Sequence, residues 1–136
     1  MCYFLYGAIN SGINDEDYKT ASKDNEFHFN CGNIKDVNAC VEKCGMDYRI
    51  TFNYCDCNTD IGQKDTNKKQ LKSLEELLLN FKNVRGIKYV LISKNWYDET
   101  NDAQETVHID DIDILSFLAN METNCLYKIE LYKKYY

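Results

Sequence analysis

Apolar residues follow two rhythms in this chain, and the switches between them mark out its elements. Residues 1–9 are almost wholly apolar and stop at Asn10-Ser11-Gly12. A run so short and so rich in aromatic and aliphatic side chains predicts a strand buried on both faces. Residues 10–25 are rich in Ser, Gly, Asn and acids, which predicts a loop with one helical turn near 15–19. Over 26–31, Phe27, Phe29 and Cys31 alternate with His28, the period of a half-buried strand. Ile34, Val37, Val41 and Cys44 then recur at helical spacing, with Cys40 beside them. Asn33 supplies the N-cap and Gly45 a left-handed stop.

Residues 48–54 return to a period of two, with Tyr48, Ile50, Phe52 and Tyr54 on one face and Arg49, Thr51 and Asn53 on the other. A helix is expected over 66–83, burying Leu71, Leu74, Leu77, Leu78 and Phe81 and closed by Gly86. Residues 87–92 predict a buried strand, 93–104 a loop and 105–109 a short strand. A third helix follows over 110–121, with Ile114, Leu115, Phe117, Leu118 and Met121 inward. The chain ends on a strand over 125–132 that alternates Cys125, Tyr127, Ile129 and Leu131.

Interleaved strands and helices predict a single α/β (or α+β) domain spanning residues 1–136. Its expected core is a mixed sheet of about five strands with three helices. Residues 48–92 have the length of one βαβ crossover. If the flanking strands are parallel, the 55–62 and 93–97 loops leave from one rim, the carboxyl end where open α/β sheets bind ligands.

Composition narrows the class. The chain has 136 residues, 44% of them apolar and 28% charged, which is enough for a hydrophobic core without staples. Its net charge is −6, which argues against nucleic acid as a partner, because phosphate binding needs a concentrated cationic surface. No apolar stretch approaches the about 20 residues of a membrane-spanning helix, and no basic segment precedes a long apolar one. The expectation is a soluble, cytoplasmic protein with no membrane partner. Proline is absent while Asn, Asp, Lys, Ile and Tyr are abundant, a bias that suggests an AT-rich bacterial genome. Seven cysteines in such a chain are expected to be reduced thiols.

The chemistry concentrates at Cys55-Asp56-Cys57, where two thiols flank a carboxylate at the end of an apolar run. Thiolates suit Zn²⁺ or Cu(I), and two of them can also form a redox pair. Adding Cys40 and Cys44 would complete four ligands, but those two lie on an apolar helix face, where free cysteine behaves as a small hydrophobe. The expectation is therefore no metal and no cofactor. Met1-Cys2 resembles, over two residues, the opening of glutamine amidotransferase domains, which would make Cys2 a nucleophile once Met1 is removed. The glycine-rich and arginine-bearing motifs of that family are not visible, so a cysteine on a buried strand is the favoured reading. His108, Asp110, Asp111 and Asp113 cluster as a hard-metal site or an acid–base pair would. Asp110 as an N-cap, with Asp111 and Asp113 in the first turn, explains the acids without function.

Trp96 and Tyr97 in a polar segment suit a contact surface. The candidate binding residues are thus Cys55, Asp56, Cys57, Thr59, Asn95 and Trp96, bordering one concavity, with no catalytic residue assigned. The favoured function is a non-catalytic binding domain for a protein partner or small ligand, similar in type to small acidic inhibitors that cover basic surfaces. The alternative is a thiol- or metal-dependent enzyme or redox protein using Cys55 and Cys57.

Overall fold

The computed structural model describes residues 2–43, 47–64 and 68–133. Its centre is a five-stranded open sheet made of β1 (Tyr3–Ile9), β2 (Asn30–Cys31), β3 (Tyr89–Trp96), β4 (Ala103–His108) and β5 (Cys125–Glu130), in the order β2-β1-β3-β5-β4. The pairs β1–β2 and β4–β5 are parallel, while β1–β3 and β3–β5 are antiparallel. The expected mixed-sheet α/β domain is what forms.

Strand periodicity sorts the core into two layers. Leu5 and Ile9, Val90 and Ile92, and Tyr127 and Ile129 join one cluster with α1 (Asp15–Ala21), α3 (Lys69–Lys82) and α4 (Ile114–Ala119). The intervening Tyr6, Ala8, Leu91 and Leu126 face the other way, onto Val37, Cys40 and Val41 of α2 (Ile34–Glu42). The three central strands β1, β3 and β5 thus bury both their faces, while the edge strands β2 and β4 are largely exposed. Cys40 is one of the buried apolar contacts of α2, whereas Cys44 and Gly45 lie outside the described residues.

The helices begin where local chemistry dictates. Asn33 caps α2 in a reciprocal capping box with Asp36. Asn14 caps α1, which is two turns long rather than the single turn expected. In the third predicted helix, a short 3₁₀ turn over Ile109–Asp111 comes first, and α4 starts afterwards with Asp113 rather than Asp110 as its cap. Ile112 is extended between them. Helix α3 starts at Lys69, with Lys68 at a φ of 63° and no side-chain cap of its own. Asp60 takes that role from a distance, accepting from the Gln70 N–H at 3.0 Å while Gln70 Oε1 accepts from the Asp60 N–H at 2.8 Å. The predicted start at Thr66 falls outside the described residues.

Strand boundaries differ from the reading of the sequence by up to two residues at β4 and β5, and by more at three other places. Between 26 and 31 only Asn30 and Cys31 pair; Phe27 and Phe29 are buried as expected, while Cys31 is exposed. Ser93, Lys94 and Asn95, expected in a loop, belong to β3, which continues to a Tyr3–Trp96 pair. Residues 48–54 are not a strand. They touch the sheet through one antiparallel bridge, Tyr6 to Arg49. Ile50 is fully buried, but Phe52 and Tyr54 are 85% and 94% exposed, and Arg49 and Thr51 are buried instead. The alternation is broken from inside, by a side chain that draws Arg49 and Thr51 inward.

The predicted crossover is changed accordingly. The stretch around Arg49 and β3 are both antiparallel to β1, so they run in the same direction with α3 between them in sequence. However, β1 separates them, and the first is a bridge rather than a strand. Glycine makes this approach feasible. A Cβ on Gly7 would collide with the Leu91 carbonyl, lie 2.7 Å from the Phe29 ring and 3.0 Å from an Ile50 methyl. Only a residue without a side chain lets those groups close over β1.

Candidate functional site

The antiparallel β1–β3 pair brings the start of one strand to the end of the other, through Tyr3 opposite Trp96. The chain after Arg49 turns back to this same rim. The Asp56 N–H donates to the Tyr3 carbonyl at 2.9 Å, and the Tyr3 N–H donates to Cys57 Sγ at 3.3 Å. These bonds carry the 55–57 segment onto the first residues of β1. Cys2 stands immediately before that strand. As a result the sulfur atoms of Cys2, Cys55 and Cys57 lie within 4.8 Å of one another. Cys57 is exposed and the other two are half-buried.

Asp56 holds the loop in place. Its carboxylate is buried and faces four donors. Arg49 Nη2 and the Leu5 N–H donate to Oδ2 at 2.9 and 2.8 Å, while Thr51 Oγ1 and Asn53 Nδ2 donate to Oδ1 at 2.6 and 3.3 Å. The Arg49 guanidinium also lies 4.6 Å from the centre of the Phe4 ring. The Ile50 N–H donates to the Leu5 carbonyl, but the Leu5 N–H, which a paired strand would use in return, goes to Asp56, and that accounts for the lost strand at 48–54. The far side of the loop is tied as well. The Ile61 N–H donates to Thr59 Oγ1 at 3.2 Å, and the Gly62 N–H donates to the Leu118 carbonyl at 2.8 Å.

Lys94 lies behind the thiols on the same face of β3 as Trp96. It is 4% exposed, donates to the Ile61 carbonyl at 3.1 Å and sits 4.9 Å from the centre of the Tyr3 ring. Burial pushes its ammonium pKa down, and the charges of Cys57 and Asp56 oppose that shift. The Trp96 ring packs edge-on against Tyr3 with centres 4.4 Å apart. Thiols, lysine and tryptophan are therefore arranged around one tyrosine.

The three thiols hold protons unequally. The Cys55 pKa is lowered from 9.0, first by the backbone N–H of Cys57, then by the neighbouring thiols of Cys2 and Cys57. The Cys2 pKa is pushed up to about 11, first by its hydrogen bond to Cys55 and then by desolvation. Of the two, Cys55 gives up its proton more readily and Cys2 holds its proton more tightly. Since the thiolate is the nucleophile, brief iodoacetamide pulses at rising pH should label Cys55 first. Cys2 should be labelled only as the pH nears about 11. Peptide mapping that found Cys2 alkylated ahead of Cys55 would contradict this proton order.

The six residues singled out from sequence divide into three groups. Cys55, Cys57 and Trp96 meet at one rim. Asp56 and Thr59 are buried within the loop as its internal hydrogen-bond partners. Asn95 is 1% exposed and points to the other face of the sheet, where its amide bonds Ser93, Asn101 and the Glu99 carbonyl. Sequence reasoning missed Cys2 as a partner of this loop. No local signal marks it, because its meeting with the loop follows from β1 lying antiparallel beside β3. Lys94 was missed because a lysine reads as surface.

Neither imidazole belongs to the cluster. His28 stacks against the exposed Phe52 with ring centres 3.9 Å apart, and burial lowers its pKa. His108 is at the opposite end of the sheet, because β5 ends beside the start of β3. Its Nδ1 accepts from the Asp110 N–H at 3.1 Å, and its Nε2 meets the Tyr132 carbonyl at 2.7 Å. Asp110 pairs with Lys82 at 2.5 Å. Comparison with protein families, with curated proteins and with solved structures found no match to this chain. No helix among the described residues is long and apolar enough to cross a membrane.

Proposed function

We propose that the protein is a non-catalytic binding domain that takes its ligand or partner at the rim shared by the 55–62 loop and the end of β3. One observation carries this reading: three thiols from two separated segments converge at the surface on a loop whose buried carboxylate fixes it to β1. A fixed loop presents its groups without an ordering cost on binding. The thiols supply the ligand contacts, and Trp96 with Tyr3 supplies the apolar border. A protein partner would present a basic surface to this acidic chain.

A thiol-dependent enzyme or redox protein is the second reading, favoured by the lowered pKa of Cys55 beside two other thiols. A nucleophilic cysteine works with an adjacent base that is itself oriented. Neither imidazole belongs to the thiol cluster, which favours binding over catalysis.

Trp96 is the sole tryptophan, so its emission reports on the rim alone. Thiol-binding ligands added to the reduced protein should change that emission, and the change should vanish in Cys55→Ser/Cys57→Ser while persisting in His108→Ala. A response that survives the double cysteine change, or emission indifferent to every such ligand, would remove the reading.

A further inference from the structure

We infer that Cys2, Cys55 and Cys57 bind one copper(I) ion in a three-coordinate thiolate site. The inference rests on the binding reading above and names its ligand. Metal–sulfur bonds of about 2.3 Å place the sulfurs of one centre roughly 3.8–4.0 Å apart, inside the 4.8 Å within which these three already lie. Small rotations of one exposed and two half-buried side chains close the difference. The loop itself does not have to move, because Asp56 and Tyr3 hold it.

The donor set selects the ion. It is all sulfur, which suits soft ions, Cu(I) and Zn²⁺ foremost. A structural zinc site takes four protein ligands, and this group of His, Cys, Asp and Glu side chains stops at three among the described residues. The carboxylate nearest in sequence, Asp56, is occupied by Arg49, Thr51, Asn53 and Leu5. Cu(I) is complete with three thiolates.

A cation stands beside the site and offsets part of its charge. Cu⁺ with three thiolates is doubly negative, and the buried Lys94 ammonium stands close enough for its charge to act on Cys57. Each thiol that still holds a proton gives it to solvent as its S–Cu bond forms, and copper remains in the +1 state throughout, so no oxidant or reductant is consumed.

The test is an anaerobic titration of the reduced full-length chain with Cu(I) against bicinchoninate. The expected result is one ion per chain, with an ultraviolet sulfur-to-copper charge-transfer band and quenched Trp96 emission. Cys2→Ser, Cys55→Ser and Cys57→Ser should each weaken binding by more than the about 10–100-fold that loss of a supporting residue costs. Cys31→Ser, an exposed thiol at the opposite end of β1, should change nothing, and circular dichroism should show every variant folded. Full affinity in Cys57→Ser, equal loss in Cys31→Ser, or a doubled mass on loading would overturn the site. Zinc held as tightly as copper would overturn copper and leave the rim reading standing. So would no metal at all, if Trp96 still answered another thiol-binding ligand. If Trp96 answered nothing, both would fall.

Discussion

Asp56→Ala is expected to lower folding stability by about 3–5 kcal/mol, the cost of leaving one member of a buried ion pair without the other. The Arg49 and Asp56 side chains are 4% and 1% exposed and meet at 2.9 Å. Removing the carboxylate strands a guanidinium away from water. It also takes the acceptor from the Leu5 N–H, Thr51 and Asn53. Against a usual total of about 5–15 kcal/mol for a domain, that is a large share. Arg49→Met combined with Asp56→Leu should recover much of the loss, since an apolar pair of similar volume is often neutral or better. The measurement is the midpoint of urea unfolding for the single changes and the pair. A loss under about 1 kcal/mol for Asp56→Ala would mean that the carboxylate is not the anchor of this loop. Disruption of the anchor should also scatter the thiols, so Asp56→Ala is expected to lose the early alkylation of Cys55 even where it still folds.

That same carboxylate explains where the sequence could be read and where it could not. The strands at 3–9 and 125–130 and the apolar stripe of α3 were legible because their burial follows directly from period. Residues 48–54 carry an equally clean period of two, yet only Ile50 of the predicted inward face is in the core. Asp56 sits two residues beyond the run and reaches back to Arg49 and Thr51. A pattern window over the run contains no trace of that tertiary bond. The end of β3 misled in the opposite sense, since Ser-Lys-Asn reads as loop. Each of those side chains is buried because it has a partner, Asn95 for Ser93, the Ile61 carbonyl for Lys94 and the Asn101 amide oxygen for Asn95. The loop thiols were visible as a spacing. Cys2 was not, since its meeting with them depends on β1 being antiparallel to β3, and strand order leaves no mark on local sequence.

Phe81→Ala should be nearly as damaging, at about 3–5 kcal/mol, and for a different reason. Phe81 is fully buried near the end of α3. Its ring stacks with Tyr18 of α1 at 5.9 Å and 26°, and meets Phe29 edge-on at 5.9 Å and 78°. One side chain thus joins α3, α1 and the segment leading into β2. Truncation leaves a cavity among elements that cannot all move in to fill it, and it removes aromatic pairing worth about 0.5–1.5 kcal/mol beyond the buried area. Leu79, two residues earlier, is 43% exposed, so Leu79→Ala on the same helix should stay within about 0.5 kcal/mol. The contrast separates packing from helix propensity, because both changes put alanine into α3. Urea unfolding with an unchanged slope would show that stability alone has moved. Phe81 and the thiols share none of the contacts described for either, so the effects of Phe81→Ala and Cys57→Ser should add. Strong non-additivity would tie the thiol rim to the far core, and a Phe81→Ala loss no larger than that of Leu79→Ala would undock α3 from the sheet.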